Sequence, residues 1–422
     1  MLRRILFAFA LCAGLLAVGT LTLSAQRDDS GVDPSSPRGG IDTDVEKDPR
    51  PTSDDLRVKE AVEKGLRHLA RIQQNDGSWV NNIGNKLGDE YQINPDGYGK
   101  PNVGVTAICC MAFLAAGHTP DRGEFRFAVA RGLKFIMDCV DPQRGWISAY
   151  GTRMYEHSFC TLLLAEVYGM TRDEVVLRHL RGATKFIIDS QNQYGAWRYI
   201  PNQNESDMSV CVCQLQALRA AANVGVNVPS GTIEAAKDYV RRSYRTRGNG
   251  FNPPGGFMYQ LERDYDPRDT FSLTAAGVVA LQSAGEYSSH TWTYRSELTG
   301  QTLTKTIDLN KSFVYLQRLR PEAEEGGPIS PTRRWGHSYG FWYGHYYAAQ
   351  AFFQYQFSGP AGERAWMEWN RTNRINFLKM QHGNGAWTDE IGGYDPDRNA
   401  YATAMACLIL NIPAGYLPVF QN

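Results

Sequence analysis

The sequence predicts an all-α fold, an (α/α)6 toroid of six helical hairpins closed into two concentric rings. Three observations lead there. First, the pattern Gln-x-x-x-Gly-x-Trp occurs at Gln73, Gly77 and Trp79, at Gln191, Gly195 and Trp197, and at Gln381, Gly385 and Trp387. The intervals are close to two and three copies of a unit of roughly sixty residues. Second, each copy follows a stretch with apolar residues at helical spacing and precedes one that is almost wholly apolar or small. Third, an apolar helix must be covered on all sides, whereas its amphipathic partner can face water. The apolar helices therefore belong inside, and closing the row removes the exposed face of a linear stack.

The elements follow in order. Residues 1–25 read as a signal peptide: Leu2-Arg3-Arg4 gives the positive start, Ile5 to Val18 the apolar stretch and Leu23-Ser24-Ala25 the cleavage site. This predicts an exported, periplasmic or secreted protein. The competing expectation is an uncleaved anchor through residues 5–25, which would add membrane contact. Residues 26–55, rich in Asp, Ser, Pro, Gly and Arg, read as a disordered linker, and the toroid occupies 56–422.

The hairpins pair Ala61–Ile72 with Val103–Gly117, the helix from Val129 with His157–Gly169, and Val176–Ser190 with Asp207–Val224. They continue with Thr232–Arg245 and Thr270–Ala284, Asp308–Leu319 and His337–Phe357, and Arg364–Met380 and Asn399–Asn411. The second hairpin keeps a Gly145-Trp146 remnant of the motif. In each motif the Gly is expected to turn the chain with positive φ, the Trp to lay its ring on the next hairpin, and the Gln to satisfy backbone groups at a helix end.

Forty-four basic and forty-four acidic residues leave no net charge, and no Lys/Arg run appears, so nucleic acid is not an expected partner. Removing Cys12 with the signal leaves seven of eight cysteines, spread through helix-like segments as buried small hydrophobes. Cys211 and Cys213 point to nearly opposite faces of a helix and form no metal pair, and Cys109 and Cys110 diverge similarly.

Further local likeness lies in Asp207-Met-Ser-Val-Cys-Val-Cys-Gln-Leu-Gln-Ala-Leu and Phe341-Trp-Tyr-Gly-His-Tyr-Tyr-Ala-Ala-Gln-Ala. With the three motifs, these make the chain resemble the terpenoid cyclase/protein prenyltransferase α/α-toroid superfamily. Within it, the likeness is to squalene–hopene-cyclase-like exported bacterial proteins with prenyltransferase/squalene oxidase (QW-type) repeats. The resemblance spans about residues 56 to 422 and implies a central cavity lined by the inner helices, their N-termini gathered at one end.

The reaction motifs of those relatives are missing. Protonating an unactivated alkene needs a neutral carboxyl in a dry cavity. The cyclase motif that supplies it, D-x-D-D, does not occur; the nearest approaches are Asp264-Tyr-Asp266-Pro-Arg-Asp269 and Asp395-Pro-Asp397. Prenyltransferase zinc would use an Asp and a Cys two positions apart, but Asp207 is followed there by Ser209, a poor ligand. No metal and no cofactor are expected, and the thioester signature Cys-Gly-Glu-Gln is absent.

If the hairpins close, Glu156, His157, Asp207, Asp269 and His337 share one rim of one cavity, which makes His157, Asp207, Asp269 and His337 the catalytic candidates. Each has a structural alternative: capping for the acids, a buried hydrogen bond for the histidines. The expected cavity lining is Tyr339, Trp342, Tyr343, His345, Tyr346 and Cys211, with Arg333 and Arg334 nearby. By resemblance, the ligand is a small apolar isoprenoid such as squalene or a hopanoid. The alternatives are a glycan, held or cleaved by a polysaccharide-lyase-like toroid through the His337 and Tyr339 region, and a periplasmic interaction scaffold. Hydrocarbon walls would favour the first, a wet groove with Arg and Tyr the second, and a filled centre the third.

Overall fold

Amphipathic and apolar helices alternate along the chain in the computed structural model, which describes residues 52–81, 99–149, 153–261, 268–295, 300–321, 340–389 and 399–420. All of these lie in one compact unit, Pro51–Asn422; the signal, anchor and most of the linker expected at the N-terminus lie outside the described residues. Among the described residues, no helix is long and apolar enough to cross a membrane.

The outer helices are α1 (Ser53–Ile72), α3 (Arg126–Asp138), α5 (Glu174–Asp189), α7 (Ser230–Ser243), α9 (Leu309–Arg318) and α11 (Pro360–Met380). Each buries one stripe; on α5 it is Val176, Leu177, Leu180, Ala183, Thr184 and Ile187. The inner helices are α2 (Val103–Ala115), α4 (Met154–Thr171), α6 (Met208–Asn223), α8 (Phe271–Ser283), α10 (Phe341–Tyr355) and α12 (Ala400–Asn411). Every residue of α2 is buried, as the all-round apolar pattern requires. Each inner helix packs on the next, and α12 returns to pack on both α1 and α2. The ring is closed, and the molecule is an α/α toroid.

One element lies outside this scheme. Between α8 and α9, β1 (His290–Arg295) pairs antiparallel with β2 (Thr302–Ile307) in the register Thr291 to Thr306 and Thr293 to Thr304. The two-residue alternation in Thr-Trp-Thr-Tyr and Thr-Leu-Thr-Lys-Thr is the local signal for it. The hairpin anchors itself by Lys305, whose Nζ donates to the carbonyls of Arg242 at 2.7 Å and Tyr244 at 3.1 Å, satisfying the last turn of α7.

The motif is the joint between repeats. Gln73 Nε2 donates to its own loop at Gly77 O (2.9 Å) and to Ala128 O on the next outer helix (2.9 Å). Gln191 does the same to Gly195 O and Thr232 O, and Gln381 to Gly385 O and Ala61 O. The Gly sits at positive φ against the carbonyl one turn further along that helix: a Cβ on Gly77 would lie 2.3 Å from Arg131 O, on Gly195 2.1 Å from Ala235 O, and on Gly385 2.5 Å from Lys64 O. The Trp ring lies against the next outer helix, where a Cβ on Gly132 would lie 3.2 Å from Trp79 Cζ3 and one on Gly65 2.8 Å from Trp387 Cζ3, while Nε1 donates back to its own outer helix at Leu69 O, Ile187 O and Phe377 O in the three copies. Gly145 against Gly182 and Gly255 against Lys311 repeat the close approach where the Gln is lost.

The third copy closes the ring, joining residues 381–385 to residues 61–64. His68 Nε2 and Asn399 Oδ1 (2.8 Å) and the Arg374–Asp55 ion pair (2.5 Å) reinforce the same seam. Gly385→Ala is therefore expected to destabilise the fold by more than about 1 kcal/mol. Gly383→Ala, where an added Cβ meets nothing within 4 Å, should stay within about 0.5 kcal/mol. Urea unfolding of the two variants is the measurement, and equal midpoints would contradict the joint's role.

Candidate functional site

Chemistry-bearing side chains gather where the inner helices begin, and much of that set holds backbone. The fourth residue of an inner helix anchors the loop before it: Thr106 Oγ1 accepts from Trp79 N (3.0 Å), Thr403 Oγ1 from Trp387 N (3.0 Å) and Cys211 Sγ from Trp197 N (3.3 Å). His157 occupies the equivalent place on α4. Its Nδ1 accepts from Ile147 N at 3.1 Å, its Nε2 donates to Ala183 O at 3.0 Å, and Trp146 stacks on the ring. Both nitrogens are committed, and burial drives its pKa down to about 3, so the ring is neutral. His157 is therefore a structural fastener rather than a catalyst, and Cys211 a loop anchor rather than cavity lining.

Asp269 is likewise occupied. Its Oδ1 accepts from Asn249 Nδ2 (2.8 Å) and Asn252 Nδ2 (3.1 Å), and its Oδ2 lies 3.5 Å from Arg245 Nε. Its carbonyl accepts from Tyr315 OH. It pins the 245–257 loop to the start of α8. Asp207 caps α6, accepting from Ser209 N at 2.8 Å and from the Ser209 hydroxyl. Glu156 is fully buried and accepts from Ser148 Oγ (2.7 Å) and Ala149 N (3.2 Å). His337 and Tyr339 lie outside the described residues, as do Arg333 and Arg334.

Two predicted lining residues turn away from the centre of the ring. Trp342 Nε1 donates to Thr388 O, and His345 Nε2 donates to Pro321 O within a cluster that includes Phe271, Phe377 and Trp369. They occupy the face of α10 that packs on α11 and the last loop. The opposite face, with Tyr343, Tyr347 and Gln350, reaches across the centre of the ring to α6, and these buried side chains fill it at that level. Tyr343 OH donates to Ser209 O (2.7 Å), the Tyr347 hydroxyl meets Cys213 Sγ (3.1 Å), and Gln216 Nε2 donates to Gln350 Oε1 (2.5 Å). Each partner pair is separated by 134 residues, so these are three rungs at helical spacing between two parallel helices that are not ring neighbours. Tyr346 is buried beside Tyr347.

Above the top rung lies a chain of tyrosines. Tyr155 OH bonds Ser209 Oγ at 2.6 Å, the Tyr155 ring lies 6.1 Å from that of Tyr199, and the Tyr199 and Tyr259 hydroxyls bond each other. Arg198 lies 5.0 Å over Tyr199 and Arg268 4.4 Å over Tyr259. Burial, then the nearby Asp207 charge, pushes the Tyr259 phenol far above its usual range, so it keeps its proton. Burial opposes the Arg198 charge, but the carboxylates beside it, Asp207 and then Glu205 at 2.9 Å, favour the cation, and its pKa lies above the usual arginine value.

Sequence reasoning missed Tyr155, Tyr199, Tyr259, Arg198 and Arg268. The signal was available: Tyr199 stands two residues after Trp197, and Tyr259 two after Phe257, which takes the Trp place in the fourth hairpin. Their carbonyls accept from Met154 N and Met208 N, the first amides of α4 and α6, which aims both rings at the helix starts.

Neither a family model nor a curated protein matches the chain. Among solved structures, a cellobiose 2-epimerase from Bacillus thermoamylovorans is similar with a TM-score of 0.55 at 12% identity, covering 85% of this chain and 98% of that one. The GH76A α-1,6-mannanase of a Salegentibacter, solved as an inactive variant with α-1,6-mannotriose, gives 0.53 at 9% over 85% and 99%. The type II terpene cyclase MstE from Scytonema, solved with geranylgeranyl dihydroxybenzoate, gives 0.51 at 13% over 86% and 99%. What they share with this chain is the α/α-toroid fold. At these identities the likeness establishes fold alone.

His157 and His345 both sit near pKa 3, below the value of about 6.5 they regain on unfolding. Below pH 6.5 the unfolded chain binds protons that the native one refuses, so these residues make stability fall as pH drops from about 6.5 toward 3. His157→Gln, which keeps an acceptor and a donor, is expected to lose less melting temperature than the parent between pH 7 and 5. Parallel decreases would show that His157 does not titrate in this way.

Proposed function

We propose that the chain is an exported glycan-binding toroid that holds its ligand at the tyrosine-lined mouth formed by the starts of α4 and α6. The observation that carries this reading is the pair of features along the axis: polar rungs filling the centre of the ring below, and hydroxyls, aromatic faces and two arginines above them. An isoprenoid needs a long, dry hydrocarbon tunnel, whereas Ser209–Tyr343, Cys213–Tyr347 and Gln216–Gln350 set hydroxyl, thiol and amide groups across that path. Sugars suit the mouth instead, since tyrosine faces stack on pyranose rings while hydroxyls bond their edges. Arg198, paired with Glu205 at 2.9 Å, and Arg268, donating to Gln260 Oε1 at 2.9 Å, would exchange these partners for the carboxylate of an acidic sugar.

Binding is favoured over elimination by a tyrosine base. A general base must ionise near working pH, and Tyr259 holds its proton well beyond that range. The mannanase crystallised with mannotriose uses the same fold for an oligosaccharide, which adds support of the weaker, analogical kind.

Calorimetric titration with neutral and uronate-containing oligosaccharides tests the proposal. Saturable binding is expected to favour the acidic sugars and to weaken about tenfold, or about 1.4 kcal/mol, in Tyr259→Phe and in Arg268→Ala. A stoichiometric isoprenoid extracted from protein purified from its own host, with no saturable sugar binding, would overturn it in favour of the hydrocarbon ligand.

A further inference from the structure

At the end of the ring opposite the tyrosine-lined mouth, where α6, α8 and α10 finish, an open pocket of about 40 Å³ has Val419 in its wall, beside Arg219, Asn223 and Gln354. Val419 belongs to a short 3-10 turn, Pro418–Phe420, which packs on α4 and α6. The chain reaches it from α12 through a second such turn, Ile412–Ala414, and through Gly415 at a φ of 64°. This stretch makes a thin cover: Leu417 is buried, whereas Pro413, Ala414 and Tyr416 are exposed.

Against it lies a carboxyl with no charge to balance it. Glu166, in the second-last turn of α4, is 2% exposed, and its Oε2 has no hydrogen-bond partner. Burial pushes its pKa up to about 8, although the backbone N–H of Val419 reaches the carboxyl and favours the charged form. The elements packed around α4 do not compensate. Neither Arg178, His179 and Arg181 of α5 nor Arg219 of α6 shifts the ionisation of Glu166, and α2 carries no charged residue. The titratable neighbour that senses it is Tyr346 of α10, whose phenol is pushed far above its usual range by burial, then by Cys213 and Glu166. At neutral pH both groups keep their protons.

An ionised carboxyl buried without a cation is strongly unfavourable, so loss of this proton has to be relieved by water. Val419 is where water can enter, because it both reaches Glu166 and lines the open pocket. The helices around Glu166 are held by ring neighbours or by an outer helix, whereas a three-residue turn can move at the cost of few contacts. We propose that residues 412–420 form a proton-controlled latch over this end of the ring: the segment lies shut while Glu166 carries its proton, and lifts to hydrate the carboxylate when the proton leaves, which enlarges the pocket. The proposal is independent of the glycan reading, because it concerns the opposite end of the molecule.

The direction of the pH effect follows from linkage. A hydrated Glu166 ionises near 4.5, and the shut form near 8, so opening becomes more favourable as pH rises between those values, by tenfold per pH unit, and gains nothing further once the shut form is ionised as well. Hydrogen exchange of the full chain between pH 6 and 9, with each rate divided by the intrinsic amide rate at that pH, is the measurement. Protection of residues 412–420 is expected to fall about tenfold from pH 6 to 7 and to level off above 8, while the inner helices show no such fall. Glu166→Gln, which keeps the shape and cannot ionise, should hold the segment's protection constant over the whole range. Constant protection in the parent, an unchanged fall in Glu166→Gln, or a fall shared equally by the inner helices would overturn the latch. The comparison of segments within the parent decides the matter even if the variant does not fold.

Discussion

The structure depends on one constraint: six helices with no polar face have to be covered on every side at once. An outer helix covers one side of each inner helix and the two ring neighbours cover the flanks, which works only if no inner helix is left at an end. The Gln, Gly and Trp joints serve that requirement. They fix the spacing of successive outer helices by backbone hydrogen bonds and by a glycine contact too close for a side chain. The motif thus acts between repeats more than within them.

Against that apolar background the polar groups stand out by position. Burying hydroxyls, amides and thiols in a core stabilises little unless they find partners. Three sets stand out here: the loop anchors at the fourth residue of the inner helices, the rungs between α6 and α10, and the tyrosine chain at the starts of α4 and α6. The first set explains residues that resemble catalysts in sequence, since His157 does the same work as Thr106 and Thr403. The other two form one line, from the Tyr155 and Ser209 hydroxyls down to the Gln216 and Gln350 amides.

The fold was legible in the sequence because helical periodicity and a repeated motif are local signals. The helix limits fall within a few residues of those expected for α2, α5, α6 and α12, while α1 begins eight residues before the expected Ala61. The candidate site was far less legible. A histidine at a helix start reads alike whether its nitrogens face substrate or backbone, and only the positions of Ile147 and Ala183 decide it for His157. Trp342 and Tyr343 are adjacent in sequence yet serve opposite sides of α10, a distinction that depends on which neighbours flank the helix. Tyr199 and Tyr259 were overlooked because their role rests on hydrogen bonds to helices that precede them by dozens of residues.

The seam between residues 61–64 and 381–385 has a consequence for biosynthesis. The Ala61 carbonyl of α1, which seats the last joint, leaves the ribosome 320 residues before Gln381, the residue that docks on it. Until then the first hairpin has one flank bare, and contacts of such long sequence separation form late. A nascent chain halted before the sixth hairpin would carry an uncovered oily edge at both ends, the kind of surface that invites chaperones or a second unfinished copy.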